Sequence, residues 1–257
     1  MDRALLADTG VYVYCVAPAD AFEDGGYRFS SPAIGGRGDE IRTVRHEDLV
    51  AVVSDSPMMR YTLRREYLVP HEQVIEETMR RADVLPVTFG SIALGDQQVR
   101  ERLLEPRSRE LHDYLSYIHG RVELDVKVYW NEERVFAEVL LENPDILALR
   151  EAVNAQSEES SYYDRIQLGE MIHSAVASKR DAEAEAILAA LSPLAYDTRV
   201  NDPLMDMMVL NGAFLVHKER ESEFDEAVAA MTEANEGRLL VQYLGPLPPY
   251  NFVSIRI

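Results

Sequence analysis

Cysteine occurs once in the 257 residues, as Cys15, which excludes an internal disulfide and fits a reducing compartment. No apolar run approaches the about 20 residues that a membrane helix needs. The longest, Met207 to Val216, is interrupted by Asn211 and Gly212. Met1 to Thr9 carries Asp2, Arg3 and Asp8, so no secretory h-region is expected there. Basic residues are in deficit, 26 against 45 acidic, for a net charge of −19. Such a field repels phosphate backbones and anionic membrane surfaces, so neither nucleic acid nor membrane is an expected partner. A soluble, cytoplasmic protein is the expectation.

Reactive constellations are equally scarce. His46-Glu47 and His71-Glu72 begin like a zinc-protease motif, but no second histidine follows at the required spacing. His112 and His119 lie two helical turns apart, yet a metal site needs a third ligand. Cys15 has no neighbouring base and reads as a buried structural thiol. Gly35-Gly36-Arg37-Gly38 lacks the strand and helix of a dinucleotide fingerprint, and neither a P-loop nor a Gly-x-Ser-x-Gly elbow occurs. Paired carboxylates such as Glu132-Glu133 and Glu158-Glu159 read as solvated helix faces. No catalytic residue, metal or cofactor is expected.

What is present is a well-patterned globular chain, 47% hydrophobic and 28% charged. Its length favours two domains, divided here as 1–95 and 96–257. The first part carries 15 acidic and 10 basic side chains, the second 30 and 16. Val11-Tyr12-Val13-Tyr14-Cys15-Val16 is β-branched and aromatic and reads as a buried strand. A glycine-rich loop over 23–40 follows, then strands at Ile41–Val44 and Leu49–Val53. Pro70 suits the first turn of a helix carrying Val74, Ile75, Thr78 and Met79, and Val84–Phe89 reads as a further strand. This order suits a ferredoxin-like sandwich with a missing or irregular first helix.

In the second part, Asp96–Ile118 is helical in pattern and is expected to split at Pro106. Val122, Leu124, Val126, Val128 and Trp130 alternate with polar residues, which marks a half-buried strand. Helices are expected over Glu132–Ala155, broken at Asn143-Pro144, and over Tyr162–Leu191, ended by Ser192-Pro193. A strand near Ala195–Val200 and a buried one at Met207–His217 lead to a helix with a capping box from Ser222 to Asp225. Gly237 closes that helix before a strand at Leu239–Leu244, giving a β-α-β unit. The fold class is α+β, with a larger C-terminal domain of long helices.

Two segments share one design. Leu85-Pro86-Val87-Thr88-Phe89-Gly90 and Gly245-Pro246-Leu247-Pro248-Pro249-Tyr250-Asn251-Phe252 each run from a strand into proline and then an aromatic. Proline fixes φ and removes a donor, so the terminal run is expected to form a stiff, extended arm. Either the two segments pack on each other across the domain boundary, or part of their apolar surface docks a partner protein. Leu85, Pro86, Phe89 and the stretch Gly245, Pro246, Leu247, Pro248, Pro249, Tyr250, Asn251, Phe252 are the candidate partner-binding residues. A different class of function stays open beside this one. A small-molecule enzyme or ligand sensor would use the sheet face and bring His112, His119 or Cys15 to carboxylates.

The chain resembles the gas vesicle protein F and L family. The resemblance rests on Val11-Tyr12-Val13-Tyr14, the block from His71 through Leu85-Pro86-Val87-Thr88-Phe89-Gly90, Asn211-Gly212-Ala213-Phe214-Leu215-Val216, and the ending Gly245 to Phe252. Leu247 stands where the family pattern suggests Trp, and the only Trp is Trp130. The resemblance implies an accessory or minor structural protein of gas vesicle assembly. Such a protein would be cytoplasmic, vesicle-associated and cofactor-free. It would contact the small apolar major shell protein and other gas vesicle accessory proteins. It also implies an N-terminal domain with a modified ferredoxin-like fold.

Overall fold

The computed structural model describes residues 9–23, 27–157 and 160–257. Asp2, Arg3 and Asp8, the glycines at 25 and 26, and the Glu158-Glu159 pair lie outside the described residues. The chain divides into two compact units. One comprises 1–123 together with 246–257, the other 124–245. The division expected at residue 95 falls inside the first unit, because the helices after it cover that unit's own sheet.

In the first unit the strands are β1 (Thr9–Pro18), β2 (Ile41–His46), β3 (Leu49–Pro57), β4 (Leu85–Pro86) and β5 (Ile92–Ala93). The sheet order is β2-β3-β1-β4, antiparallel throughout, with β5 also on β1. Numbered by appearance this is the 4-1-3-2 order of a ferredoxin-like sandwich. Its second crossover is α1 (Arg65–Met79), while its first is a 3-10 turn, Ala19–Phe22, and a loop. That loop has its own anchor. The buried Glu77 of α1 accepts hydrogen bonds from Tyr27 Oη, Ser30 N and Ser31 N, each at 2.8 Å, and from Ser31 Oγ. Burial alone would raise the Glu77 carboxyl, but these donors outweigh it and bring it to about 2.

β1 is covered on both faces. Its register with β3 slips between Val13 and Cys15, so Tyr14 is the extra residue of a bulge. Tyr12, Tyr14 and Cys15 consequently all pack with Val74 and Ile75 of α1. Val11, Val13 and Val16 pack instead with Leu103, Leu104, Leu111 and Ile118. Those come from a π turn (Arg100–Leu104) and α3 (Ser108–Ile118), which with α2 (Asp96–Val99) before them make a helical run split at Pro106 as expected. Helix α1 begins five residues before Pro70, which sits inside it at the cost of one backbone bond.

The second unit repeats the topology without repeating the sequence. Its strands β6 (Arg121–Trp130), β7 (Asp197–Val200), β8 (Met208–His217) and β9 (Leu239–Leu247) are ordered β7-β8-β6-β9, again 4-1-3-2. The first crossover holds α4 (Glu132–Glu142), α5 (Pro144–Ala155) and α6 (Tyr162–Leu191), and the second is α7 (Glu221–Ala234). Trp130 is structural here. Its Nε1 donates to Glu183 at 2.7 Å, and Glu183 with Glu138 also receives Arg238. The capping box at Ser222 does not form. Arg220 is the N-cap, without a side-chain cap, and pairs with Glu223 at 2.8 Å. Gly237 takes φ +70° in the turn into β9, the left-handed conformation glycine tolerates.

Candidate functional site

The edge of the first sheet is interrupted, and the interruption builds the site. Between the pairs Cys15↔Pro86 and Tyr12↔Ile92, β1 advances three residues and its partner six. Three residues are therefore extruded, and Thr88-Phe89-Gly90 loops out of the edge. The strand expected over Val84–Phe89 shrinks to Leu85–Pro86 for this reason. Gly90 at φ +85° makes the turn back, and its N–H donates to Tyr12 Oη at 2.9 Å.

The C-terminal stretch completes the edge. Beyond β9, which runs through Gly245, Pro246 and Leu247, the chain does not continue as an extended arm. Pro249 C=O accepts from both Phe252 N at 3.1 Å and Val253 N at 3.0 Å, which makes a tight turn. Val87 then bridges Ile255 in parallel, and Thr88 N donates to Ile255 O at 2.8 Å. The two proline-bounded segments thus meet within one unit. Leu85, Pro248, Pro249 and Phe252 are buried as supports. Asn251 donates to the buried Glu123. Gly245 and Pro246 are exposed at the end of β9, with Leu247 half-buried.

Pro86, Phe89 and Tyr250 are brought together. They line an open cleft of about 280 Å³, with Leu68, His71 and Glu72 on the α1 side and Val253 and Ser254 on the tail side. A second cleft of about 570 Å³ shares Thr88 and Phe89 with it and is walled by Met58, Met59 and Ile92. Its remaining walls include Arg60, Arg256 and Ile257. Phe89 stands between the two. Tyr250 is 39% exposed, and burial together with Glu72 and Glu76 pushes its hydroxyl above the ordinary range.

His71 forms part of the first cleft, although in the sequence it stands out only as an incomplete metalloprotease motif. Its ring is 4% exposed, packs against Tyr14 and meets the edge of Phe89. Tyr12 Oη, which already accepts from Gly90, lies 3.0 Å from His71 Nδ1. Two lone pairs on Tyr12 Oη allow either direction of that bond, and the buried imidazole is neutral with a single ring proton. Burial lowers His71 to about 4, consistent with that form. Helical spacing with Val74, Ile75 and Thr78 was the available signal of its burial.

His112, His119 and Cys15, which an enzyme or sensor reading would bring together, lie in three separate places. His112 Nε2 lies 2.9 Å from Asp48 and His119 Nδ1 lies 2.7 Å from Asp83, in two separate contacts. Cys15 is buried, donates to Thr78 Oγ1 at 3.6 Å, and has its thiol pushed up to about 12 by burial. Both faces of the first sheet are covered by packed side chains. Among the described residues no group of three His, Cys, Asp or Glu side chains could hold a metal, and no helix is long and apolar enough to cross a membrane.

Comparison with known proteins agrees with this architecture. The chain is 34% identical over 250 residues to gas vesicle protein F of Streptomyces sp. (strain CB03234), covering 95% of this chain and 99% of that protein. Gas vesicle protein L of the same organism is 29% identical over 266 residues, covering 95% and 92%. The crystal structure of the gas vesicle protein GvpF from Anabaena sp. PCC7120 superposes with a TM-score of 0.82 at 24% identity, covering 97% of this chain and 100% of that one. Residues 10–254 match the family described as gas vesicle synthesis protein GvpL/GvpF. An α+β chain of this length, order and edge construction belongs to the gas vesicle synthesis protein GvpL/GvpF family.

Proposed function

We propose that this gas vesicle assembly protein binds the major apolar shell subunit through the cleft around Phe89 and Tyr250. Family membership supports the assembly role and association with gas vesicle proteins. The observation that supports this docking surface is the extruded Thr88-Phe89-Gly90 loop. It spends three residues of a sheet edge on holding an aromatic side chain beside a half-exposed tyrosine from the tail. An apolar subunit destined for polymerisation gains from a protein surface that covers part of it beforehand. The net charge of −19 keeps such a complex dispersed. No catalytic step enters this reading.

The test uses cells lacking the gene, complemented with a tagged copy. Phe252→Ala would empty a core position, so Phe89→Ala/Tyr250→Ala is the informative pair, with Tyr250→Ala as the milder variant. Burying one such ring is worth about 1.5–3 kcal/mol, so the double variant should co-purify at least about tenfold less shell subunit and leave the cells less buoyant. Undiminished capture by a folded double variant would move the docking site elsewhere.

A further inference from the structure

The two clefts meeting at Phe89 carry opposite charge. Glu72 lines the first, and Glu76 lies one helical turn further along α1. Arg60 and Arg256 line the second. Among the described residues none of these four side chains forms an ion pair, whereas several other charged side chains of the unit do. Arg42 binds Asp55 and Asp96, Arg107 binds Glu110, and Arg45 binds Glu23. Between the unmatched ends run Val87, Phe89, Met58 and Ile92, which are apolar. At the acidic end the buried His71 also lines the cleft.

From this geometry we infer that the two clefts form one dipolar groove. Its occupant is an apolar polypeptide segment with a basic residue at one end, which meets Glu72 and Glu76, and an acidic residue at the other, which meets Arg60 and Arg256. This inference rests on the docking reading above and adds the chemistry of the segment that is docked. Matched ends select a register: sliding the segment along the apolar floor costs little, while misplacing either charge loses a pair.

The probes are three labelled synthetic peptides sharing one apolar core, with Lys and Glu at opposite ends, Lys at both ends, or Glu at both ends. Fluorescence polarisation with the full-length protein should rank the mixed peptide about threefold to tenfold tighter than either other, since each rim pair contributes little singly. Raising the salt to about 1 M should shrink the ratio toward one. Glu72→Lys/Glu76→Lys should switch the preference to the Glu-ended peptide, and Arg60→Glu/Arg256→Glu to the Lys-ended one. All four positions are exposed and free of ion pairs, so these variants should fold, and Glu72→Gln/Glu76→Gln supplies a gentler version that only flattens the ranking. Three results overturn the groove: no binding of any peptide, equal binding of all three, or a Lys-ended preference in every variant, which would reflect net charge alone. Since the peptides replace the shell subunit, such a result with shell capture intact removes the groove and leaves the docking surface standing.

Discussion

Asn251 grips Glu123 with two hydrogen bonds, from its backbone N to Oε2 at 2.9 Å and from its Nδ2 to Oε1 at 2.8 Å. Both residues belong to the first unit and lie 128 positions apart in the chain. Glu123 is completely buried, and a carboxylate taken out of water must find donors. The grip also fixes the turn that presents Tyr250 to the cleft.

Asn251→Ala removes the side-chain donor and keeps the backbone one. Hydrogen bonds to charged groups are worth about 1.5–3 kcal/mol, so urea unfolding should show a loss in that range with an unchanged slope. Asn251→Asp should cost more, because it sets a second carboxylate against Glu123.

His71 makes the fold sensitive to mild acid. Its folded value of about 4 lies below its unfolded value of about 6.5. The contribution is therefore fully present above pH 6.5 and is lost as the pH falls from there toward 4. The gap corresponds to about 3 kcal/mol. His71→Gln keeps an acceptor for Tyr12 without titrating, and its stability should be flatter than wild type across that window. His112 works in the opposite sense. Asp48 raises it, so its smaller, solvent-screened contribution is present at low pH and fades as the pH rises through its folded value.

Glu77 acts in a lower window. Its carboxyl is depressed to about 2, so its stabilisation holds above the unfolded value of 4.5 and disappears as the pH falls toward 2. Glu77→Gln should lower stability at pH 7 by about 1.5–3 kcal/mol. The difference from wild type should vanish near pH 2, as thermal melts at both pH values would show.

Gly10 leaves no room for a side chain. A Cβ there would lie 2.3 Å from Met58 Sδ, 2.6 Å from Ile92 Cγ2 and 2.9 Å from the Ala93 carbonyl oxygen. The backbone oxygen cannot swing aside, so Gly10→Ala should destabilise by about 1–3 kcal/mol. Met58 and Ile92 wall the second cleft, so the same change should also weaken peptide binding there.

Punctuation made much of the fold legible. Pro144 and Ser192-Pro193 set helix ends to the residue, and the β-branched Val11–Val16 run declared its strand. The ferredoxin-like class of the first unit was readable from its run of strand, loop, two strands, helix and strand, although a loop stands where the first helix should be. What failed were local signals that tertiary structure overrides. Arg64 starts α1 with no side-chain cap, so nothing pointed before Pro70, and the capping box at Ser222 lost to a start at Glu221. In the candidate site, Pro86, Phe89 and Tyr250 were legible as residue types. That they share one cleft depends on an extruded loop and a returning tail, and neither register nor tail path is written locally. His71 escaped because a buried histidine and a surface one look alike until the packing face is known.

The most direct test of the docking surface is a photo-cross-link. A benzophenone side chain replaces the exposed Thr88, where the two clefts meet, or Glu233 on the exposed side of α7 as a control. Cells producing the shell subunit are irradiated and the tagged chain is analysed by mass spectrometry. A covalent adduct with one shell subunit at position 88, and none at 233, is the predicted result. No adduct at 88, or equal adducts at both positions, would contradict it.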